Sequence, residues 1–144
     1  MDKWQDAHMK VAEVYASLSS AVRLKVGCVI VKDKRIISIG YNGMPSSWSN
    51  ECEDEVTWPN GDVRFTVTKP EVLHAETNAI AKLARSSESG EGAELYCTHA
   101  PCLDCAKLIY QSGIEMVYYK HPYKKDDGLS FLRMGGVGVI SLED

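Results

Sequence analysis

Residues 93–119 read AELYCTHAPCLDCAKLIYQSGIEMVYY. AELYCT (93–98) reads as a strand. PCLDCAKLIYQSG reads as a helix, with Pro101 in its first turn and Gly113 past its end. IEMVYY (114–119) is a second strand. A strand, a helix and a strand in that order imply a right-handed crossover and parallel pairing.

The pattern extends in both directions. HAETNAIAKLARS, from residue 74, predicts an alanine-rich helix that stops before SSESGEG. DGLSFLRMGG predicts a short helix, and VGVIS (137–141) a last strand. Upstream, VGCVIV (26–31) and RIISIG (35–40) are β-branched runs joined by KDK, which suits an antiparallel hairpin at one end of the sheet. Residues 3–18 space Trp4, Ala7, Val11, Val14, Tyr15 and Leu18 as one face of an amphipathic helix. The expected order is α-β-β-α-β-α-β-α-β. That is an α/β fold, a three-layer α/β/α sandwich with a mixed five-stranded sheet, in a single domain over 1–144. Residues 46–72, SSWSNECEDEVTWPNGDVRFTVTKPEV, stand apart. They hold Pro, Asn-Gly and a cluster of acids, and they are expected to be irregular. So long a segment is either functional or a plain solvated loop.

Apolar residues make up 44% of the chain and charged residues 25%, as in globular proteins generally. No apolar run approaches the ~20 residues of a membrane span. The N-terminus is charged from its second residue and has no signal-like apolar region, so a cytoplasmic protein is expected. A net charge of −4 offers no long-range attraction for a nucleic-acid polymer. A small anion held by local cations stays compatible with it. The five cysteines are Cys28, Cys52, Cys97, Cys102 and Cys105. An odd number without a secretory signal points to reduced thiols or metal ligands.

Consecutive βαβ units bring the starts of their helices to one sheet edge. His74 starts one helix and Cys102 the next. Cys102 and Cys105, three apart, face the same way. Two thiolates and one imidazole fit tetrahedral Zn²⁺ and leave its fourth position open, as in catalytic sites. Zn²⁺ with two thiolates and a neutral imidazole sums to zero charge. It is a weak Lewis acid that needs a base beside it, and Glu76 stands two residues past His74. Two alternatives remain. Cys-x-x-Cys also suits a redox pair. A structural zinc would be closed by a fourth ligand, with Cys97 or His99 nearest. Cys97 alternates in phase with Ala93 and Leu95, as a core residue would. His99 sits at the strand exit, lining a pocket or solvated. Cys28, inside an apolar strand, reads as a small buried hydrophobe.

His74-Ala75-Glu76 followed by Pro101-Cys102-Leu103-Asp104-Cys105 is the zinc nucleobase deaminase signature. The chain as a whole resembles the deoxycytidylate (dCMP) deaminases. The resemblance rests on VGCVIV, RIISIGYNGMPS, HAETNAI and APCLDCAKLIYQSGI, with GYNGMP (40–45) its most specific part. It implies a cytidine deaminase-like fold. It also implies hydrolysis of dCMP to dUMP and ammonia, supplying dUMP for thymidylate synthesis. His74, Cys102 and Cys105 would hold zinc, and Glu76 would carry the proton. Asn42 would meet the deoxyribose 3′-hydroxyl, and Ala75 and Glu76 the pyrimidine. Tyr123 would stand near the substrate, and Arg85 near the phosphate or a subunit interface. The resemblance also implies a homohexamer activated by dCTP and inhibited by dTTP. Mg²⁺ would sit beside the triphosphate, near Gly40, Tyr41, Gly43, Ser46 and Ser49. Arg23 and Lys25, before the first strand, are phosphate contacts or a solvated face. Some relatives bind a second, structural zinc. His8, Cys28 and Cys52 make no convincing set of four here, so one zinc per subunit is expected. The rivals are a deaminase of another cytosine nucleoside or of a nucleic-acid base, and a non-catalytic zinc module.

Overall fold

The computed structural model describes residues 1–143, and the last residue of the expected 1–144 domain lies outside them. Eleven elements follow in order: α1 (Lys3–Ala16), β1 (Gly27–Lys32), β2 (Arg35–Tyr41), β3 (Glu53–Thr57), β4 (Val63–Thr68), α2 (Ala75–Ala84), β5 (Glu94–His99), α3 (Leu103–Gln111), β6 (Met116–His121), α4 (Asp127–Met134) and β7 (Gly138–Ser141). Five strands form one sheet in the order β2-β1-β5-β6-β7. β1 runs antiparallel to both β2 and β5, whereas β5-β6 and β6-β7 are parallel. The expected mixed sheet is therefore present, with the hairpin at its edge.

Burial on both faces explains why β1 reads as an unbroken apolar run. Cys28 and Ile30 join Leu95, Cys97 and Val117 in a core under α2, α3 and α4. Val29 and Val31 face the other way, with Met9, Ala12, Tyr96 and Tyr118 under α1. The rings of Tyr96 and Tyr118 stack at 4.5 Å. The two-residue turn Asp33-Lys34 has positive φ at both positions, the conformation that matches the strand twist of a tight hairpin.

Helix α1 departs from expectation in the face it buries. Asp2 caps it, accepting from the Trp4 and Gln5 amides at 2.9 Å. Its buried residues are His8, Met9, Ala12 and Ala16, whereas Trp4, Val14 and Leu18 are exposed. The cause is close packing. A Cβ on Gly27 would collide with the backbone of Ala12 and Ala16. Only small side chains fit at that crossing, so the buried face runs through Ala12 and Ala16 rather than through Trp4, Val14 and Leu18.

The second departure lies within residues 46–72, where β3 and β4 form an antiparallel hairpin of their own. Its turn is closed by Trp58 N–H donating to Asp62 O at 2.8 Å, with Gly61 at positive φ. Asn60-Gly61 and the alternating Val63, Phe65 and Val67 signal this hairpin, against the contrary signals of Pro59 and the acidic run. Every residue of β4 is exposed. Lys69 N–H donates to Cys52 O at 2.8 Å and extends the hairpin's own ladder by one rung, and Glu53 and the Thr66 carbonyl tie the hairpin to the α1–β1 link by accepting from Val22 and Arg23. No helix among the described residues is long and apolar enough to cross a membrane.

Gly40 plays the same role on β2 that Gly27 plays on β1. A Cβ there would strike the Ala75 carbonyl and the Ala79 amide. Backbone cannot yield as a flexible side chain can. Gly40→Ala should cost about 1–3 kcal/mol, read as a fall of several degrees in Tm by thermal denaturation. Gly43→Ala, with open space at that Cβ, is the control and should leave Tm nearly unchanged.

Candidate active site

β2 and β5 both run opposite to β1, so they point the same way. α2 and α3 therefore begin at one edge of the sheet. His74 is the N-cap residue of α2 and Cys102 that of α3, both in extended conformation. Four contacts hold α2 on β2. Gly40 permits the close approach. Ser38 Oγ donates to Ala79 O at 2.7 Å, Asn78 Nδ2 to Tyr41 O at 2.9 Å, and Lys82 Nζ to Ile39 O at 2.6 Å. The N-terminal turn of α4 supports Cys102, since a Cβ on Gly128 would meet the backbone of Pro101 and Cys102.

The result is a cluster of three donors. His74 Nδ1 lies 3.2 Å from Cys105 Sγ and 3.5 Å from Cys102 Sγ. All three ligand atoms lie within 4.8 Å of one another. Tetrahedral zinc with these ligands spaces its donors about 3.5–3.8 Å apart. The donor set fits zinc in both chemistry and separation. Thr77 Oγ1, at 3.8 Å from Cys105 Sγ, adds an outer contact that the sequence did not signal. Cys97 and His99 stand outside the cluster. Cys97 is fully buried against Cys28 in the core. His8, Cys28 and Cys52 lie apart from one another: His8 under α1, Cys28 on the opposite sheet face, and Cys52 at the foot of the hairpin.

Charge is arranged in opposite senses around the cluster. The hydrogen bond from Cys105, and then that from His74, lowers the Cys102 thiol to about 3 and so favours its anion. The same bond to Cys102, with burial, pushes the Cys105 thiol up. His74 is raised by its bond to Cys102. The three groups thus share protons that a single divalent cation replaces. Glu76 is 4% exposed and outside the donor set. Burial raises its carboxyl above the usual range, a shift moderated by its own backbone amide, His74 and the Cys97 thiol.

The cluster opens into a cavity of about 260 Å³. Asn42, Ala75, Glu76 and Tyr123 all line it, together with His74 and Cys102. Asn42 Oδ1 accepts from Val26 N–H at 2.9 Å and its Nδ2 donates to Leu24 O at 2.8 Å, so this side chain also shapes the wall. His99 faces the cavity, its Nδ1 2.9 Å from Thr98 Oγ1. Burial, and then His121, lower its pKa. Sequence reasoning missed the far wall: Ala21, Leu24, Glu53, Thr68 and Val72. Those residues come from the α1–β1 link, the hairpin and the connection from β4 to α2, where no motif marks them. Arg85 is not brought to the cavity. It caps the far end of the ten-residue α2, about 15 Å from His74. Gly40 is buried against α2, whereas Tyr41, Ser46 and Ser49 are exposed and Gly43 bridges to Leu73.

Comparison with known proteins gives this arrangement its context. The family pattern described as the cytidine and deoxycytidylate deaminase zinc-binding region matches residues 2–121. The chain belongs to the cytidine and deoxycytidylate deaminase family. The deoxycytidylate deaminase of phage T4 is 34% identical over 93% of this chain and 87% of its own length. That of Saccharomyces cerevisiae is 38% identical over 94% of this chain. This chain spans only 44% of the yeast protein. The dCMP deaminase of cyanophage S-TIM5, solved with dCMP and dUMP, superposes with a TM-score of 0.86 at 42% identity and covers 99% of both chains. The likeness confirms the cytidine deaminase-like fold expected from the sequence.

Family membership and the donor cluster together support Zn²⁺ as the metal. Cys102→Ala should therefore abolish stoichiometric zinc after dialysis, as metal analysis will show. Thr77→Val should retain zinc with affinity weakened by about 10-fold.

Proposed function

We propose that this chain hydrolyses dCMP to dUMP and ammonia, supplying dUMP for thymidylate synthesis. One observation carries the reading: a buried, non-ligating carboxyl, Glu76, beside a His/Cys/Cys donor cluster on the floor of a closed-in cavity. The names of the relatives support the substrate. In this reading His74, Cys102 and Cys105 hold Zn²⁺, which when bound supplies the Lewis acidity that makes water easier to deprotonate.

The chain's own groups then move protons. Glu76 carboxylate accepts one from the attacking water and delivers it to N3 of cytosine as a bond forms between oxygen and C4. Glu76 next takes the hydroxyl proton from that oxygen and passes it to the amino group. The C4–N bond breaks, ammonia leaves, and a carbonyl stands at C4. One carboxyl serves as base and then acid, and its burial favours a protonated form in between. The Ala75 backbone and Glu76 meet the pyrimidine edge. Asn42 keeps one free N–H and one free lone pair for the sugar hydroxyl after its two wall contacts. Tyr123 closes the side of the cavity.

The regulatory reading is part of the proposal. dCTP activates and dTTP inhibits, with Mg²⁺ beside the triphosphate, at the exposed stretch that includes Tyr41, Gly43, Ser46 and Ser49. That stretch continues directly from Asn42, so an effector there acts on a residue of the cavity wall. Arg85, far from the cavity, belongs to a subunit interface in a hexamer. Residues 1–144 act as one deaminase unit in the cytoplasm. A polynucleotide substrate is disfavoured by the net charge of −4.

The zinc-loaded protein should release ammonia from dCMP, and a non-catalytic zinc module would release none. Glu76→Gln should keep its zinc and fold while kcat falls by about 10²–10⁴-fold. Wild-type turnover in that variant would refute the role.

A further inference from the structure

The proposed substrate brings a phosphate dianion, and the cavity wall has no obvious partner for it. Among the described residues, those lining the cavity include no lysine or arginine. They include two acids, Glu53 and Glu76. A phosphate beside Glu53 needs a cation delivered from the rim.

The segments that frame the mouth offer five. Lys69 is paired with Asp54 at 3.1 Å. Lys25, Lys124 and Lys125 are flexible point charges. Arg23 differs in being held at two places. Its backbone N–H donates to Glu53 Oε2 at 3.3 Å, and its Nη1 donates to the Thr66 carbonyl at 3.0 Å. Ala21 and Leu24, close to it on either side, line the cavity, as does Thr68, two residues beyond Thr66. A guanidinium has five N–H donors in a fixed fork. The Thr66 bond takes one and orients the rest, which suits bidentate recognition of a phosphate.

Resting on dCMP as the substrate, we infer that Arg23 binds the 5′-phosphate and that Glu53 is the positioning residue that aims it. Glu53 Oε2 accepts from Val22 N–H at 2.9 Å as well as from Arg23 N–H. One carboxylate thus pins two consecutive amides of the α1–β1 link to the first residue of β3. The β3–β4 hairpin acts as the platform that sets the arginine at the rim. Coulomb's law alone predicts that removing Glu53 improves binding of a dianion. Positioning predicts the opposite sign.

Steady-state kinetics of the zinc-loaded protein on dCMP and deoxycytidine separates these outcomes. Arg23→Ala should lower the ratio of kcat/KM for dCMP over deoxycytidine by about 10- to 100-fold, through KM. Arg23→Lys, which keeps the charge without the fork, should recover part of it. Glu53→Ala should shift the ratio the same way with kcat near wild type, and Glu53→Gln, which keeps a carbonyl acceptor, should restore part. An unchanged ratio in Arg23→Ala, or an equal fall on both substrates, overturns the phosphate role. A ratio that rises in Glu53→Ala overturns the positioning role. Should the wild type deaminate neither substrate, the substrate reading fails separately. Calorimetric titration with dCMP then decides the matter for Arg23: weaker binding by Arg23→Ala supports its role, and equal affinity overturns it.

Discussion

The structure depends on one constraint: two helices must begin at the same sheet edge with their backbones close enough for an imidazole and two thiols to meet. Gly40 lets α2 lie directly on β2, and Gly128 lets α4 lie directly on the turn into α3. The bonds from Ser38, Asn78 and Lys82 then fix α2 along its length. A Cβ at either glycine would collide with backbone next to His74 or at Cys102, so the supporting element would have to shift.

Within that frame, the same small space shifts titratable groups in opposite directions. Hydrogen bonds from Cys105 and His74 favour the anion at Cys102. Burial disfavours it at Glu76. Neighbouring groups with opposite shifts divide the labour of a site between charge that stays and charge that moves. Cys28 and Cys97 lie fully buried in adjacent strands on the same face as α2, and the Cys97 thiol moderates the rise at Glu76 by hydrogen bonding to it.

The donor cluster was legible in the sequence because its spacing is local. Cys102 and Cys105 are one helical turn apart, and His74 and Glu76 share the start of another helix. The sheet order followed from the alternation of strands and helices. The buried face of α1 was not legible, because the closeness of Gly27 to Ala12 selects size over hydrophobicity, and size selection leaves no periodic mark. The far cavity wall was not legible either. Glu53, Thr68 and Leu24 meet only after the β3–β4 hairpin folds back on the α1–β1 link, and nothing in a polar, acid-rich stretch announces such a tertiary contact.

The antiparallel β1 lies between β2 and β5, whose following helices carry the two halves of the site. Cys28 pairs with Cys97, almost half the chain away, and this pairing brings those halves into line. Closing so long a loop is slow, because its entropy cost precedes the reward of contact. The imidazole and the thiol pair sit on helices carried by different strands, so the donor set is complete only in the tertiary fold, with β1 seated between β2 and β5.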